Sequence, residues 1–357
     1  MIRKAYIVLA HKAPQQLRRL IGALDDGNST FFIHLDSACD KAVFRKALAH
    51  VRGWQFLRSE NGAWGQLGIV NATLNGLRAV AESHTEFDMV NLISGQDYPL
   101  RSNAFIDGFI ERNRGGIFIE HFPLPSEMWT AGGLDRIHAY HFGDRRRTRW
   151  KVLSRGISAL CNASAILKRR FPSGLKPYGG WQWWSISMAA VAEILEFVER
   201  RPDYVRFHRR SLLPDEMFFQ TILLNSKSEL VQRNLINNSL RFVDWDNPNP
   251  LTPATLTTEY FDALIGSRSL FARKFEADRD HAILDQLDEY RADEEKQLMA
   301  MEPLATGSAV FFRSADYPAS PASVGTKVGL FREQIHEPAA RSEALSETER
   351  PAKFLSL

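Results

Sequence analysis

The chain is poor in cysteine, nearly balanced in charge and free of long apolar runs. Cys39 and Cys161 are its only cysteines, which excludes a disulfide framework and a Cys-rich zinc site and points to a reducing compartment. Lysine and arginine total 45 against 42 acidic residues, a net charge of +3. So small an excess does not drive binding to nucleic acid, and no nucleic-acid partner is expected. The opening MIRKAYIVLAHKAP joins a basic pair to an apolar run, but His11 and Lys12 end the run before a signal-peptide core forms. No stretch approaches the roughly 20 apolar residues of a membrane span. The expectation is a cytoplasmic protein whose contact with a membrane, if any, is peripheral and at the inner face.

What is present is a large core. At 44% hydrophobic and 24% charged residues, the composition is that of a soluble globular chain. Short β-branched or aromatic runs alternate with helical patterns, the mark of an α/β fold with a mostly parallel sheet flanked by helices. The spacing predicts strands over Tyr6–Ala10, Phe31–Asp36, Met89–Ser94, Ile117–His121, Trp183–Ile186 and Arg241–Trp245. Leu17, Leu20, Ile21 and Leu24 repeat at helical spacing, as do Val191, Ile194, Leu195 and Val198, and a further helix is predicted from Gly65 to Ser83. From about Met301 the chain turns rich in Ala, Ser, Pro, Thr and Glu, so residues 301–357 read as a loosely packed or disordered tail in which Ala309–Phe312 docks at most as a short strand. Arg145, Arg146, Arg147, Arg149, Lys151 and Arg155, followed by Lys168, Arg169 and Arg170, form a basic stretch. A solvated face is its simplest reading, and a surface for anionic lipid or acidic glycan the sharper one.

Open α/β sheets collect ligands just beyond their strand ends, and four polar segments fall there: His11–Lys12, IHLDS at 33–37, ISGQDYPLRS at 93–102 and GGWQWW at 179–184. Asp36 ends a predicted strand, where an acid contacts a ribose or simply closes a turn. Asp97 lies in a Gly-Gln-Asp-Tyr-Pro turn that its own side chain can hold. Trp181, Trp183, Trp184 and Trp245 are core aromatics or platforms for the apolar face of a sugar. In LLPDEMFFQT, Pro214 starts a helix with Asp215 and Glu216 in its first turn. Adjacent helix positions diverge by about 100°, so one carboxylate can hold the structure while the other faces a cleft as a base. In LFARKFE, Phe271 and Phe275 anchor a strip that carries Arg273 and Lys274. Such a pair suits a diphosphate, Arg by its planar fork and Lys as a point charge. A divalent cation held by Asp-x-Asp is not expected: Ala38 breaks the pattern after Asp36, and Asp278 and Asp280 fall in a predicted helix. His121, His138 and His141 form no zinc pattern. The chain also lacks the Gly-x-Ser-x-Gly of an α/β-hydrolase.

With these residues in view, the sequence resembles a known family. AYIVLAHKAPQQLRRLI, FFIHLDS, AWGQLGIVNATL, VNLISGQDYPLRS, GGWQWWSIS, LLPDEMFFQTILLNS, RFVDW and LFARKFE follow one another as in the core-2/I-branching β-1,6-N-acetylglucosaminyltransferases and peptide O-xylosyltransferases, glycosyltransferase family 14. SLLPDEMFFQTILLNS and SRSLFARKFEA are closer to the xylosyltransferase branch. The resemblance implies a variant GT-A fold, with a nucleotide-sugar half over about 1–125 and an acceptor and catalytic half over about 126–300. It also implies inverting, metal-independent transfer of xylose or N-acetylglucosamine from a UDP-sugar to a hydroxyl of a glycan, lipid-linked or protein acceptor, with no cofactor. By position, Glu216 resembles the general base, and Arg273 and Lys274 the cations that replace a metal on the diphosphate. His11 and Asp36 fall on the nucleotide side, while Asp97, Trp183, Asp215 and Trp245 fall beside the donor or acceptor sugar. Gln182 is a departure, since animal xylosyltransferases carry an aspartate there that is implicated as the base. The rival reading is a non-catalytic sugar-binding protein on a degenerate transferase fold.

Overall fold

The computed structural model describes residues 1–62, 65–142, 156–158, 160–162, 168–247 and 252–301. Its strands in chain order are β1 (Lys4–Ala10), β2 (Ser29–Leu35), β3 (Trp54–Phe56), β4 (Met89–Ser94), β5 (Asp97–Pro99) and β6 (Ile117–Ile119). They continue with β7 (Phe122–Pro123), β8 (Tyr178–Gly179), β9 (Trp184–Ile186), β10 (Leu235–Ile236), β11 (Arg241–Val243) and β12 (Phe271–Arg273). A seven-stranded sheet has the order β10-β6-β9-β4-β1-β2-β3. Its pairings are parallel except where β9 runs against β4 and β6. A smaller sheet, β11-β12-β5, packs against it, with the Phe271 ring on that of Tyr6, and β7 pairs with β8.

The alternation in β1 shows why the sheet is covered on both faces. Tyr6, Val8 and Ala10 join one buried cluster and Ala5 and Ile7 the other, as the two-residue period of a strand requires. The first cluster takes in Leu17, Leu20, Ile21 and Leu24 of the helix Pro14–Leu24, with residues of Asn103–Arg112 and Ala282–Met301. The second takes in Val70, Leu74, Leu77 and Val80 of Gly68–Glu82, together with Met188–Arg200 and Phe218–Leu224. Gly76 lets the helix Gly68–Glu82 approach β1, because a Cβ there would meet the Ile7 side chain at 2.5 Å.

All six predicted strands are present, Met89–Ser94 with the predicted ends, β1 longer at its start and the others shorter or shifted, and the three helical patterns form helices. β5 and β12, both expected as turn or strip, are strands that pair with each other. Asp278 and Asp280 precede the helix Ala282–Met301 rather than lie within it, and Asp280 accepts the backbone N–H groups of Thr258 at 2.7 Å and Ile283 at 3.2 Å. Arg169 departs from the expected solvated face. It is buried, and its guanidinium donates to the carbonyls of Ala139, Phe207 and Arg210 and to Ser211 Oγ. Lys168 and Arg170 beside it are exposed, while Arg145–Arg155 and the tail with Ala309–Phe312 lie outside the described residues. Strands β9 and β10, from the expected acceptor half, are built into the same sheet as β1–β4. Among the described residues no helix is long and apolar enough to cross a membrane.

Candidate active site

Because β9 is antiparallel to its neighbours, the residues just before it reach the same edge as those just after β1, β2 and β4. His11 and Lys12, Asp36, Gly95–Gln96 and Gln182–Trp183 therefore share the carboxyl edge of the sheet, where such folds bind ligands. Buried Gln16 fixes this edge: its Nε2 donates to the carbonyls of Gly95 at 3.2 Å and Phe275 at 3.0 Å, and its Oε1 accepts from Ala277 N at 2.9 Å. His11 is exposed. Asp36 uses both carboxylate oxygens on backbone, one accepting from Ala38 N and the other from Gly62 N, each at 2.8 Å. It thus closes its own turn and holds the 60–62 loop.

The register of β5 on β12 sets Asp97 opposite Arg273. Asp97, expected beside the sugar, is 0% exposed, and its carboxylate is a buried counter-charge. Its Oδ1 accepts from Ser94 Oγ at 2.6 Å and stands 3.8 Å from Arg273 Nε, while Oδ2 has no partner. The Arg273 guanidinium stacks over Trp183 at 4.0 Å, with Nε and Nη1 buried and unpartnered. Burial lowers its pKa and Asp97 opposes the shift. Arg241 sits in the same buried group, over Phe271 at 4.4 Å; burial pushes its pKa down to about 10, against the pull of Asp97. Lys274 takes a different direction from its neighbour, its Nζ lying 3.6 Å from Glu276 Oε1. The expected cation pair is therefore divided, Arg273 inward and Lys274 toward Glu276.

The segment Leu213–Met217 forms a 3-10 turn, Pro214–Glu216, ahead of the helix Phe218–Leu224. The two carboxylates diverge as adjacent positions should. Asp215, expected beside the sugar, is 4% exposed, and its Oδ1 has no hydrogen-bond partner among the described residues. Burial, and then the neighbouring Glu216, raise its pKa to about 7. The Glu216 side chain is 18% exposed, and its Oε2 accepts from Arg136 Nη1. Arg136 is itself clamped, its guanidinium 3.6 Å above the ring of Trp129.

Gly180 ties the Glu216 backbone to the sheet edge. Gly180 N donates to the Glu216 carbonyl at 2.9 Å, and a Cβ at Gly180 would stand 1.9 Å from the Glu120 carbonyl oxygen. Only glycine fits that approach. The chain then passes Trp181, whose ring stacks on Trp245 at 5.1 Å and 17°. After half-buried Gln182 it reaches Trp183 beneath Arg273. One short segment thus joins the neighbourhood of Glu216 to that of Arg273.

The sequence profile of the "Core-2/I-Branching enzyme" family matches residues 4–265. The chain belongs to the core-2/I-branching enzyme family. These enzymes are glycosyltransferases. Human "Xylosyltransferase 2" is 26% identical over 313 residues, covering 80% of this chain and 33% of its own. "Xylosyltransferase 1" of Canis lupus familiaris is 25% identical over 325 residues, covering 81% and 30%. The chain thus spans about a third of the length of these relatives. A solved structure titled "Crystal structure of 4-diphosphocytidyl-2C-methyl-D-erythritol synthase" aligns over 59% of this chain and 87% of its own, at 11% identity and a TM-score of 0.28, too distant to carry an argument.

Within this branching-enzyme fold, sequence reasoning missed Arg136, Arg241, Gln96 and Glu276. Arg136 has no local signal, since its partners Trp129 and Glu216 come from separate parts of the chain. Arg241 was inside a predicted strand, where a charged residue in an otherwise apolar run is itself a sign of a buried partner. Among the described residues no group of three His, Cys, Asp or Glu side chains is arranged to hold a metal ion.

Proposed function

We propose that this family member transfers a sugar, xylose or N-acetylglucosamine, from a UDP-sugar to an acceptor hydroxyl with inversion and without a metal. The observation that carries the reading is Glu216: a partly exposed carboxylate with one oxygen fixed by Arg136, on a backbone tied through Gly180 to the edge that carries Arg273 and Lys274. In this mechanism Glu216 takes the proton of the acceptor hydroxyl as its oxygen attacks the anomeric carbon from the face opposite UDP. The carbon–oxygen bond to the diphosphate breaks in the same step, and the configuration inverts. Lys274 and the Arg273 side chain, 14% exposed, stabilise charge that grows on the leaving diphosphate, usually a large share of such catalysis. Arg136 is a positioning residue. Held on Trp129, it aims the base so that the other oxygen meets the acceptor. Gln182 cannot act as the base because an amide does not take up a proton near neutral pH. The stacked Trp181–Trp245 pair offers an aromatic surface to a sugar ring.

The experiment is UDP release from UDP-xylose and UDP-N-acetylglucosamine, with simple glycan and peptide hydroxyl acceptors, with and without EDTA. Acceptor-dependent release that survives EDTA supports the reading. Sugar binding without release from any donor would establish a non-catalytic binding protein instead.

A further inference from the structure

Three donors from separate parts of the chain converge on one carboxylate oxygen at the sheet edge. Glu276 Oε1 accepts from Lys12 Nζ at 2.8 Å and from Gln96 Nε2 at 3.0 Å, and Lys274 Nζ stands 3.6 Å from it. Lys12 follows β1, Gln96 lies in the turn between β4 and β5, and Lys274 follows β12. Two ammonium groups near one carboxylate leave a net positive charge. The cluster is open to solvent, with the Lys12 side chain 46% and that of Glu276 30% exposed. Among the described residues Glu276 is the hydrogen-bond partner of the Lys12 head group, and the backbone that carries Glu276 is fixed by its own turn, with Arg279 N and Asp280 N bonding to its carbonyl.

We propose that Glu276 is an internal counter-anion that holds Lys12, Gln96 and Lys274 as a preformed oxyanion site, and that the donor diphosphate binds by taking these three groups from the Glu276 carboxylate. The inference rests on the UDP-sugar reading above and adds Lys12, Gln96 and Glu276 to it. A diphosphate presents several charged oxygens, so it can engage both ammonium groups where Glu276 offers one oxygen. The hydrogen bond from Lys12, together with the charges of Lys12 and Lys274, holds the Glu276 carboxyl below the usual range against a smaller effect of burial, so the counter-anion stays charged near neutral pH. The exchange weakens donor and UDP binding alike. After transfer, Glu276 recaptures the lysines and helps UDP to leave, the step that limits many transferring enzymes. A merely structural ion pair has the opposite consequence: without Glu276 the lysines lose their alignment and anion affinity falls or stays level.

The test is calorimetric titration of UDP and of inorganic pyrophosphate into the full chain and into the variants Glu276→Gln and Lys12→Ala. Glutamine keeps the size and an acceptor oxygen but removes the charge. Glu276→Gln should bind both anions about tenfold tighter, equivalent to about 1.4 kcal/mol, and Lys12→Ala about fivefold weaker, with both differences shrinking in high salt. If UDP binds the wild type but binds Glu276→Gln no more tightly, the counter-anion idea is overturned while the donor reading stands. Pyrophosphate binding that tightens in Glu276→Gln, with no binding of UDP, keeps the oxyanion site and overturns the UDP-sugar donor. Should Glu276→Gln fold poorly, unchanged anion affinity in Lys12→Ala, whose side chain is half exposed, overturns the inference by itself.

Discussion

Replacing Asp97 by alanine leaves two buried guanidinium groups without their nearest counter-charge. Asp97 is 0% exposed, and its Oδ1 lies 3.8 Å from Arg273 Nε. Arg241, wholly buried close by, has its N–H groups on Ser185 Oγ and on the carbonyls of Leu92, Trp184 and Ser239, none of which carries charge. With an effective dielectric constant of about 20, a unit pair at that separation is worth about 4 kcal/mol. Breaking a buried pair from one side costs about 3–5 kcal/mol by comparison with other proteins. The hydrogen bond from Ser94 Oγ adds about 1 kcal/mol. Asp97→Ala should therefore lose about 3–5 kcal/mol in urea unfolding followed by tryptophan fluorescence, and roughly 5–8 °C in Tm for a chain of this size. A double-mutant cycle with Arg273→Met separates the charge from the packing. If the charge argument holds, Asp97→Ala costs much less when Arg273 is already absent. A loss below about 1 kcal/mol, or the same loss with and without Arg273, refutes the reasoning.

Glu216→Gln keeps the shape and the bond from Arg136 but removes the base, so turnover should fall about 100-fold or more with UDP affinity nearly unchanged; near-normal turnover moves the role elsewhere. Arg136→Lys, which keeps charge but loses the planar fork and its seat on Trp129, should lower kcat about tenfold and leave UDP binding alone; a change in UDP affinity instead would place Arg136 on the donor side. Asp215 gives a pH signature. Its folded pKa of about 7 exceeds the ordinary 3.8, so between these values the folded state binds more protons than the unfolded one and stability falls as pH rises. Asp215→Asn, which cannot ionise, should gain stability relative to wild type between pH 4 and pH 8, and a difference independent of pH would reject the assignment. Activity lost on chelation and restored by manganese would show that Arg273 and Lys274 do not suffice for the leaving group.

Much of the site's chemistry was legible because its residues carry local signals. Pro214-Asp215-Glu216 at the head of an apolar helix announced two divergent carboxylates, and the structure separates them as helix geometry demands. Arg273 and Lys274 between two phenylalanines announced a fixed strip, and Phe271 and Phe275 are indeed fully buried. What local pattern did not show was direction. Asp97 read as a turn residue because Gly95 and Gln96 precede it, yet pairing of β5 with β12 turns it inward against Arg273. Nor did local pattern show that Asp215 is buried while its neighbour Glu216 stays partly exposed.

The sequence by itself determined the alternating strands and helices, the two-faced burial of β1 and the family, because each rests on spacing along the chain. Tertiary structure alone decided which charges meet. The antiparallel course of β9 brings Gln182 and Trp183 to the carboxyl edge, and close approach at Gly180 links that edge to Glu216. Lys12, Gln96 and Lys274 converge on Glu276 across up to 264 positions of sequence. Charge interactions act through space over a few ångströms, and no pattern of neighbours in the chain records which distant side chains the fold will place within that range.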